Sequence, residues 1–137
     1  APHIIDRVIK SVGTVVRTKP DVLNQVITPE TSETITAMLV STVNNGPARS
    51  AKVPGHRIAG KTGTSEIPGP GGKYETGTGS TIATFAGYAP INKPKFVVLV
   101  KIDRPKTVEF GSRAAAPVFR QIASFLFEYY GIPPDEG

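Results

Sequence analysis

Two apolar strand patterns separated by a short turn constrain the fold of this chain more than any other feature. Residues 96–102 (FVVLVKI) are almost continuously apolar, which is typical of a strand covered on both faces. Residues 81–89 form a second strand pattern, and a turn at residues 90–94 lies between the two. A parallel crossover needs about a dozen residues or more, so we expect the two strands to pair antiparallel.

A helix is expected to begin at Pro29 and to end at residues 44–47. Thr28 can cap its N-terminus, and Pro29 suits the first helical position because its missing N–H would be unpaired there anyway. The sequence Asn-Asn-Gly-Pro at residues 44–47 favours termination. Apolar residues at helical spacing predict a buried stripe made of Ile35, Met38, Leu39 and Thr42 or Val43. We therefore interpret Met38 as core filler.

A second helix is expected over residues 114–130, ending at Gly131, which is a favourable C-terminal cap. Its predicted apolar stripe consists of Ala115, Val118, Phe119, Ile122, Phe125, Leu126 and Tyr129. A small hairpin is expected from residues 3–10 and 14–17. Together with the strand pair, these elements predict a mixed α/β (α+β) fold, in which an antiparallel sheet carries the packed C-terminal helix.

The composition excludes several classes of site. The chain of 137 residues contains no cysteine, which excludes disulfides, thiolate metal sites and cysteine nucleophiles. His3 and His56 are far apart in sequence, so a histidine metal site is not expected. The net charge of +5 is scattered, which indicates a solvated surface and no nucleic-acid partner. No apolar run approaches the ~18 residues of a membrane span, and the first residues lack a signal-peptide pattern, so any targeting segment is expected upstream.

One octapeptide matches the phosphate-binding loop pattern G-x-x-x-x-G-K-[ST]. Residues 55–62 (GHRIAGKT) fit it letter for letter. The pattern binds phosphate only where a buried strand leads into it and a helix begins at the lysine. Residues 50–54 contain a proline and do not form a strand pattern, while residues 63–72 are too rich in glycine and proline for a helix. The context therefore opposes a nucleotide-binding site.

The same lysine begins a Lys-Thr-Gly triad within residues 60–64 (GKTGT), and residues 57–64 look extended. In penicillin-interacting enzymes this triad accompanies a Ser-x-x-Lys motif. A cation there offsets a substrate carboxylate, a hydroxyl hydrogen-bonds that carboxylate, and a glycine lets the acyl group approach the backbone, whose N–H helps to form an oxyanion hole. The following residues 65–80 contain five glycines and two prolines, which predict a long connection of the kind that often serves as a lid.

The flanking segments resemble the C-terminal half of the transpeptidase domain of class B penicillin-binding proteins. The similar segments are residues 1–5 (APHII), 28–43, 53–64 (VPGHRIAGKTGT), 84–90 (TFAGYAP), 100–105 (VKIDRP), 111–112 with 115–119 (AAPVF), and 131–135 (GIPPD). His56 stands where an aromatic residue such as tyrosine is common in that family. The resemblance implies that the predicted sheet and helix are part of a β-lactamase/transpeptidase-like fold.

The resemblance also implies roles for the residues of the triad. Lys61 is expected to be the active-site cation, near the hydroxyl of the family's second serine motif. Thr62 and Thr64 are expected to bind the carboxylate of a D-alanyl-D-alanine stem peptide or of a β-lactam antibiotic. The N–H of Thr64 would supply one oxyanion donor, and Gly63 the close approach. No metal or organic cofactor is implied.

The chain lacks the family's nucleophile. None of its eight serines is followed by a lysine three residues later, and no Ser-x-Asn occurs. We therefore expect the acylating serine to lie upstream, in the other half of the same domain, and this chain to be inactive alone. The expected setting is the outer face of the bacterial cytoplasmic membrane, reached through an upstream anchor, with other cell-wall synthesis proteins as further partners. A non-catalytic binding or scaffold homologue, and less favourably a phosphate-loop protein, stay open as alternatives.

Overall fold

The structure, a computed structural model, describes residues 4–19 and 21–135. The chain divides into two compact units, residues 1–32 and residues 33–137. The similarity noted at residues 1–5 falls largely outside the described residues, as does His3. The second unit contains a mixed arrangement of antiparallel strands and a C-terminal helix, which confirms the predicted fold class.

The first unit contains the predicted hairpin. Strand β1 (Arg7–Ile9) pairs antiparallel with strand β2 (Val15–Arg17), and Val8 lies opposite Val16. Gly13 in the connecting turn has a φ of +80°, a left-handed conformation that glycine adopts at no steric cost. Turn chemistry therefore positions this hairpin as the sequence indicated.

Helix α1 (Pro29–Asn44) has the predicted bounds and the predicted cap. The Thr31 N–H donates to the Thr28 hydroxyl at 3.2 Å, which satisfies one of the unpaired N–H groups of the first turn. A hydrogen bond from its own backbone N–H, followed by one with the Thr28 hydroxyl, holds the pKa of the Glu30 carboxyl below its usual value. The negative charge is thereby kept at the positive end of the helix dipole.

The predicted burial of α1 is wrong over most of its length. Met38 is 62% exposed and is not core filler, and Ile35 is exposed as well. Only Val43, near the C-terminal end, is fully buried. Among the described residues of the second unit, no apolar element covers the middle of this helix. The amphipathic pattern therefore predicts the helix correctly, but it does not predict which of its residues are buried.

Three antiparallel strands form the sheet of the second unit in the order β3-β4-β5. They are β3 (Ala59–Glu66), β4 (Thr81–Ala89) and β5 (Phe96–Asp103). The pairing of β4 with β5 confirms the expected antiparallel hairpin, with Phe85 opposite Val100. Strand β3 begins two residues later than residue 57 and extends through Glu66, because residues 57 and 58 belong to the lead-in.

Helix α2 (Ala115–Tyr129) packs on one face of this sheet. The rings of Phe85 on β4 and Phe119 on α2 meet at a centroid distance of 4.6 Å and a tilt of 58°. A Cβ at Gly87 would lie 2.8 Å from the Phe119 ring, so the absence of a side chain at this position lets helix and sheet approach closely. This aromatic pair lies directly behind the β3–β4 ladder.

Two burial predictions are corrected by the way α2 lies on the sheet. Strand β5 is covered on one face only, since Val97 is 77% and Leu99 is 68% exposed. The buried row of α2 is displaced around the helix from the predicted stripe and consists of Ala115, Ala116, Phe119, Ala123 and Phe127. Small alanines allow close contact with the sheet, and this leaves larger predicted members such as Phe125 outside.

The end of α2 confirms the predicted glycine cap. Gly131 has a φ of +59°, and its N–H donates to the Glu128 carbonyl at 3.1 Å. The Ile132 N–H donates to the Phe127 carbonyl at 2.9 Å. These two hydrogen bonds form a Schellman motif, the helix ending that a glycine in the left-handed conformation allows. None of the helices in the described part of the chain combines the length and the apolar character that crossing a membrane requires.

The two faces of α2 predict different costs of truncation. Phe119→Ala removes a ring that is 0% exposed and should lower the free energy of unfolding by about 3–5 kcal/mol. Phe125→Ala, on the same helix at 61% exposure, should change it by less than about 0.5 kcal/mol. Urea unfolding of the two variants measures the difference. Equal losses would contradict the assignment of the buried face.

Candidate active site

The Lys-Thr-Gly triad lies in the middle of an edge strand. Residues 61–64 occupy the third to sixth positions of β3, which pairs with β4 on one side and with no other strand among residues 4–19 and 21–135. No helix begins at Lys61, so the geometry required of a phosphate-binding loop is absent. The structure therefore favours the second interpretation of the motif, a strand that lines a cleft.

The side chains of the motif divide between the two faces of β3. Because successive residues of a strand point to opposite faces, Thr62 and Thr64 share one face and Lys61 lies on the other. Gly63 stands opposite Thr84 of β4, and a Cβ at Gly63 would lie 2.4 Å from the Thr84 hydroxyl oxygen. The glycine therefore lets the Thr84 side chain lie close against β3, on the face that Lys61 shares.

Two hydrogen bonds identify which backbone groups face the free edge of β3. The Gly60 carbonyl accepts a hydrogen bond from the Thr42 hydroxyl of α1 at 2.5 Å, and the Thr62 carbonyl accepts one from the Lys61 ammonium at 2.9 Å. Backbone groups of alternate residues point the same way in an antiparallel strand, so the N–H of Thr64 is directed to this edge too. The Lys61 ammonium thus reaches the edge although its side chain starts on the opposite face from the threonines.

The edge carries an uncompensated positive charge. Within the described ranges, ion pairs join Arg7 to Asp6 and Arg104 to Glu75, and neither involves Lys61. Lys61 is exposed, and its recorded hydrogen bond goes to a neutral carbonyl. A cation, two threonine hydroxyls and an edge N–H can together hold a carboxylate and stabilise a developing oxyanion.

The segment that leads into β3 is held by the C-terminal tail. The Asp135 N–H donates to the Gly55 carbonyl at 2.8 Å, and the Asp135 carboxylate accepts a hydrogen bond from the Arg57 N–H. The His56 ring stacks on Phe127 of α2, with centroids 3.7 Å apart and an interplanar angle of 11°. His56 therefore makes a flat packing contact that joins the lead-in of β3 to the C-terminal end of α2.

The connection after β3 is fixed to the end of β5. The Arg104 guanidinium donates to both carboxylate oxygens of Glu75, at 2.5 and 2.8 Å, and to the Gly79 carbonyl at 3.2 Å. The hydrogen bond from Arg104 holds the pKa of the Glu75 carboxyl below its usual value, and the same bond raises the pKa of Arg104. Paired backbone bonds between Ile67 and Ser80 and between Ile67 and Glu75 add to this order. The glycine-rich connection is thus tied down at the described positions.

Sequence reasoning did not identify one residue that touches the motif. The Gly111 N–H donates to the Thr64 hydroxyl at 3.1 Å, across 47 positions of sequence. The sequence indicates residues 111 and 112 only through the family resemblance. No local pattern predicts that the turn before α2 contacts β3. Within the described residues, no group of three or more His, Asp or Glu side chains could hold a metal ion.

Comparison with known proteins decides the family. Residues 1–124 match the penicillin binding protein transpeptidase domain. The chain belongs to this family. The edge strand with the Lys-Thr-Gly triad is therefore a segment of a penicillin-binding transpeptidase domain, as the sequence resemblance indicated.

Several curated relatives share the sequence over most of the chain. Stage V sporulation protein D of Bacillus subtilis is 39% identical over 135 residues, which is 98% of this chain and 20% of the relative. The peptidoglycan D,D-transpeptidase FtsI of Escherichia coli is 33% identical over 124 residues, 88% of this chain and 21% of that protein. The chain thus spans about a fifth of the length of the penicillin-binding relatives it matches.

Solved structures of penicillin-binding proteins share the fold. Penicillin-binding protein 3 of Mycobacterium tuberculosis, complexed with ampicillin, superposes with a TM-score of 0.84 at 30% identity, over 97% of this chain and 31% of that one. The apo transpeptidase domain of Burkholderia pseudomallei penicillin-binding protein 3 gives a TM-score of 0.73 at 34% identity, over 83% of this chain and 34% of that domain. The arrangement of β3, β4, β5 and α2 is therefore a family arrangement.

The contact between Glu75 and Arg104 predicts that the pKa of the Glu75 carboxyl depends on Arg104. Arg104→Gln should raise the pKa of Glu75 towards its ordinary value, because the hydrogen bond that lowers it is lost. Side-chain carboxyl NMR signals followed against pH measure the midpoint. The midpoint of Glu30, which is lowered by hydrogen bonds of its own helix end, should stay where it is and serves as the internal control.

The same pair predicts the direction of a pH effect on stability. A carboxyl whose pKa is lower in the folded state stabilises the fold fully above its unfolded pKa of about 4.3, and the contribution is lost as the pH falls through the folded pKa. Stability should therefore fall less on acidification in Glu75→Gln than in the parent chain. An identical acid response in both proteins would contradict the pairing.

Proposed function

We propose that this chain forms the Lys-Thr-Gly wall of the active site of a peptidoglycan D,D-transpeptidase. The observation that carries the proposal is the edge of β3, where an exposed lysine makes no ion pair with the described residues. Its ammonium reaches this edge from the face opposite to the one that the two threonines share. The family match supports it, and the names of the relatives give the reaction class for those proteins. The substrate of this chain would then be a stem peptide ending in D-alanyl-D-alanine.

The carboxylate of the terminal D-alanine is bound by the wall. The hydroxyls of Thr62 and Thr64 lie on the same face of β3 and donate to the carboxylate oxygens. The Lys61 ammonium offsets the negative charge and favours proton transfer at a neighbouring serine hydroxyl. These contacts fix the orientation of the scissile peptide bond along the strand.

The reaction is an acyl transfer in two steps. A serine oxygen attacks the carbonyl carbon of the penultimate D-alanine, and its proton passes through a base to the amine of the departing D-alanine. The tetrahedral oxyanion accepts a hydrogen bond from the edge N–H of Thr64. An amine of a neighbouring stem peptide then attacks the ester, loses a proton, and releases the serine as the cross-link forms.

A β-lactam fits the same wall, because its carboxylate and its reactive carbonyl are arranged like the terminal carboxylate and the scissile carbonyl of the D-alanyl-D-alanine peptide. A structural neighbour that is 30% identical was solved with ampicillin and another with aztreonam. On this proposal, Thr62, Thr64 and Lys61 bind the drug's carboxylate and Gly63 permits the approach of its acyl group.

The attacking serine belongs to a segment that carries Ser-x-x-Lys, since none of the eight serines of this chain has that context. We propose that this segment, the other half of the same domain, is the obligatory partner and that the residues described here do not acylate by themselves. Peptidoglycan as substrate places the active protein at the outer face of the bacterial cytoplasmic membrane, where an anchoring segment and other cell-wall synthesis proteins would accompany it.

Lys61→Ala should reduce covalent labelling by a fluorescent penicillin when the wall is combined with the Ser-x-x-Lys segment. The expected loss in the labelling rate is about 10²–10³-fold, because one charged group that stabilises the reacting centre is removed. Gel fluorescence against time measures the rate. Lys93→Ala, in the exposed turn between β4 and β5, is the matched control and should label at the parent rate.

The outcomes of that experiment separate the functions. Equal labelling of Lys61→Ala and the parent protein would refute the assignment of the site. A folded parent protein that takes up no penicillin, in the presence of the complete domain, would instead support the non-catalytic binding or scaffold homologue.

A further inference from the structure

We propose that Ser50 and the turn before α2 position the hydroxyl of Thr64, so that it donates to the carboxylate of the substrate. The proposal rests on the proposed function of the β3 wall and adds two positioning residues, Ser50 and Gly111, which lie outside the triad. It follows from two contacts between residues distant in sequence, Ser50 with Ser112 and Gly111 with Thr64, and from the local hydrogen bonds that join Gly111 to the start of α2.

The contact with Gly111 fixes the polarity of the Thr64 hydroxyl. A backbone N–H can only donate, so the Thr64 oxygen is the acceptor in the 3.1 Å bond from Gly111. The hydroxyl hydrogen then has to point elsewhere, and Thr64 is exposed at the edge strand. A carboxylate can only accept. The Gly111 N–H therefore occupies one lone pair of the Thr64 oxygen and keeps the hydroxyl hydrogen directed away from Gly111, where it is available to a carboxylate.

Gly111 is itself held between α2 and the sheet. Its carbonyl accepts hydrogen bonds from the N–H groups of Ala115 at 3.0 Å and Ala116 at 2.9 Å, which joins the turn to the first turn of α2. A Cβ at Gly111 would lie 2.4 Å from the Thr84 carbonyl oxygen and 2.5 Å from that of Gly63. Only a residue without a side chain can lie this close to the β3–β4 backbone and still reach Thr64.

Ser50 holds the other side of the same turn. Its hydroxyl donates to the carbonyl of Ser112, the residue after Gly111, across 62 positions of sequence. Ser50 belongs to a short helical turn, residues 49–51, that packs against α2 and is anchored by the buried Ala48 and Ala51. The hydroxyl therefore starts from a fixed point and restrains the turn that carries the Gly111 N–H.

Ser50 should therefore influence recognition of the carboxylate without touching the substrate. Removing its hydroxyl leaves the Ser112 carbonyl without this donor and loosens the turn, so the Gly111 N–H no longer keeps the Thr64 oxygen as acceptor. Thr64 can then rotate into orientations that do not donate to a carboxylate. The chemistry at Lys61 and at the edge N–H of Thr64 is unaffected.

The test compares acylation by a penicillin with acylation by its methyl ester, in the transpeptidase that contains this chain together with its Ser-x-x-Lys segment. Ser50→Ala should slow acylation by the free acid about threefold to tenfold, the value of one ordinary hydrogen bond, and leave the ester rate unchanged. Ser124→Ala is the matched control: it is a half-buried serine on α2 whose hydroxyl has no hydrogen bond with the described residues. It should change neither rate.

A double-mutant cycle distinguishes positioning from general destabilisation. In a Thr64→Val background, Ser50→Ala should have no further effect, because the hydroxyl that it positions is already absent. Hydrogen exchange of the Gly111 amide, followed by NMR, should be faster in Ser50→Ala, and Ser50→Thr should restore both the rate and the protection. This amide signal is independent of catalysis.

The proposal is overturned if Ser50→Ala slows the acid and the ester equally, if its effect persists beside Thr64→Val, or if both the rate and the Gly111 exchange stay at parent values. When the parent protein is acylated and Lys61→Ala is not, each of these results removes the role of Ser50 and leaves the proposed function intact. Absence of acylation in the parent protein would remove both.

Discussion

The constraint on which the rest of the structure depends is the edge of β3 that pairs with no other strand in the described part of the chain. An exposed strand edge presents free N–H and C=O groups that would pair with any extended chain, and proteins usually protect such edges. Here the edge is charged by Lys61 and is occupied at Gly60 and Thr62 by side-chain donors. The same features that discourage indiscriminate pairing leave one oriented stretch of backbone available for a peptide-like ligand.

That edge keeps its position through contacts from remote parts of the chain. The Thr42 hydroxyl of α1 binds Gly60, the Asp135 carboxylate of the tail binds the N–H of Arg57, and Gly111 binds Thr64. Each support reaches a different part of the strand and its lead-in. A strand held at its lead-in, at its start and at Thr64 can present its side chains in one geometry, which the proposed carboxylate site requires.

Local patterns in the sequence predicted the elements well, because their causes are local. Thr28 and Pro29 start α1, Gly131 ends α2, and the short turn at residues 90–94 forces β4 and β5 to be antiparallel. Burial was predicted less well. Met38 and the exposed face of β5 look like core residues in sequence, and whether a given apolar face is covered depends on which elements pack against it.

The motif predicts which residues form the candidate site, but it does not predict the tertiary contacts that these residues make. The spacing of Lys61, Thr62 and Thr64 fixes their faces once a strand is assumed, because alternation is a property of every strand. The contacts that determine the donor direction at Thr64 come from Gly111 and, through Ser112, from Ser50. Hydrogen bonds over such separations arise from tertiary packing and have no sequence period.

The two glycines within residues 60–64 allow close packing on both faces of β3. A Cβ at Gly60 would lie 2.4 Å from the ring of Phe85, which packs on Phe119, so a larger residue there would displace the aromatic core behind the strand. A Cβ at Gly63 would press on the Thr84 hydroxyl, on the face of β3 opposite to Thr62 and Thr64. The backbone at positions 60 and 63 therefore lies close to its neighbours, with the Phe85 ring beside position 60 and the Thr84 side chain beside position 63. A side chain at either position would have to displace one of these neighbours, and at position 60 the displacement would pass to the aromatic core behind the strand.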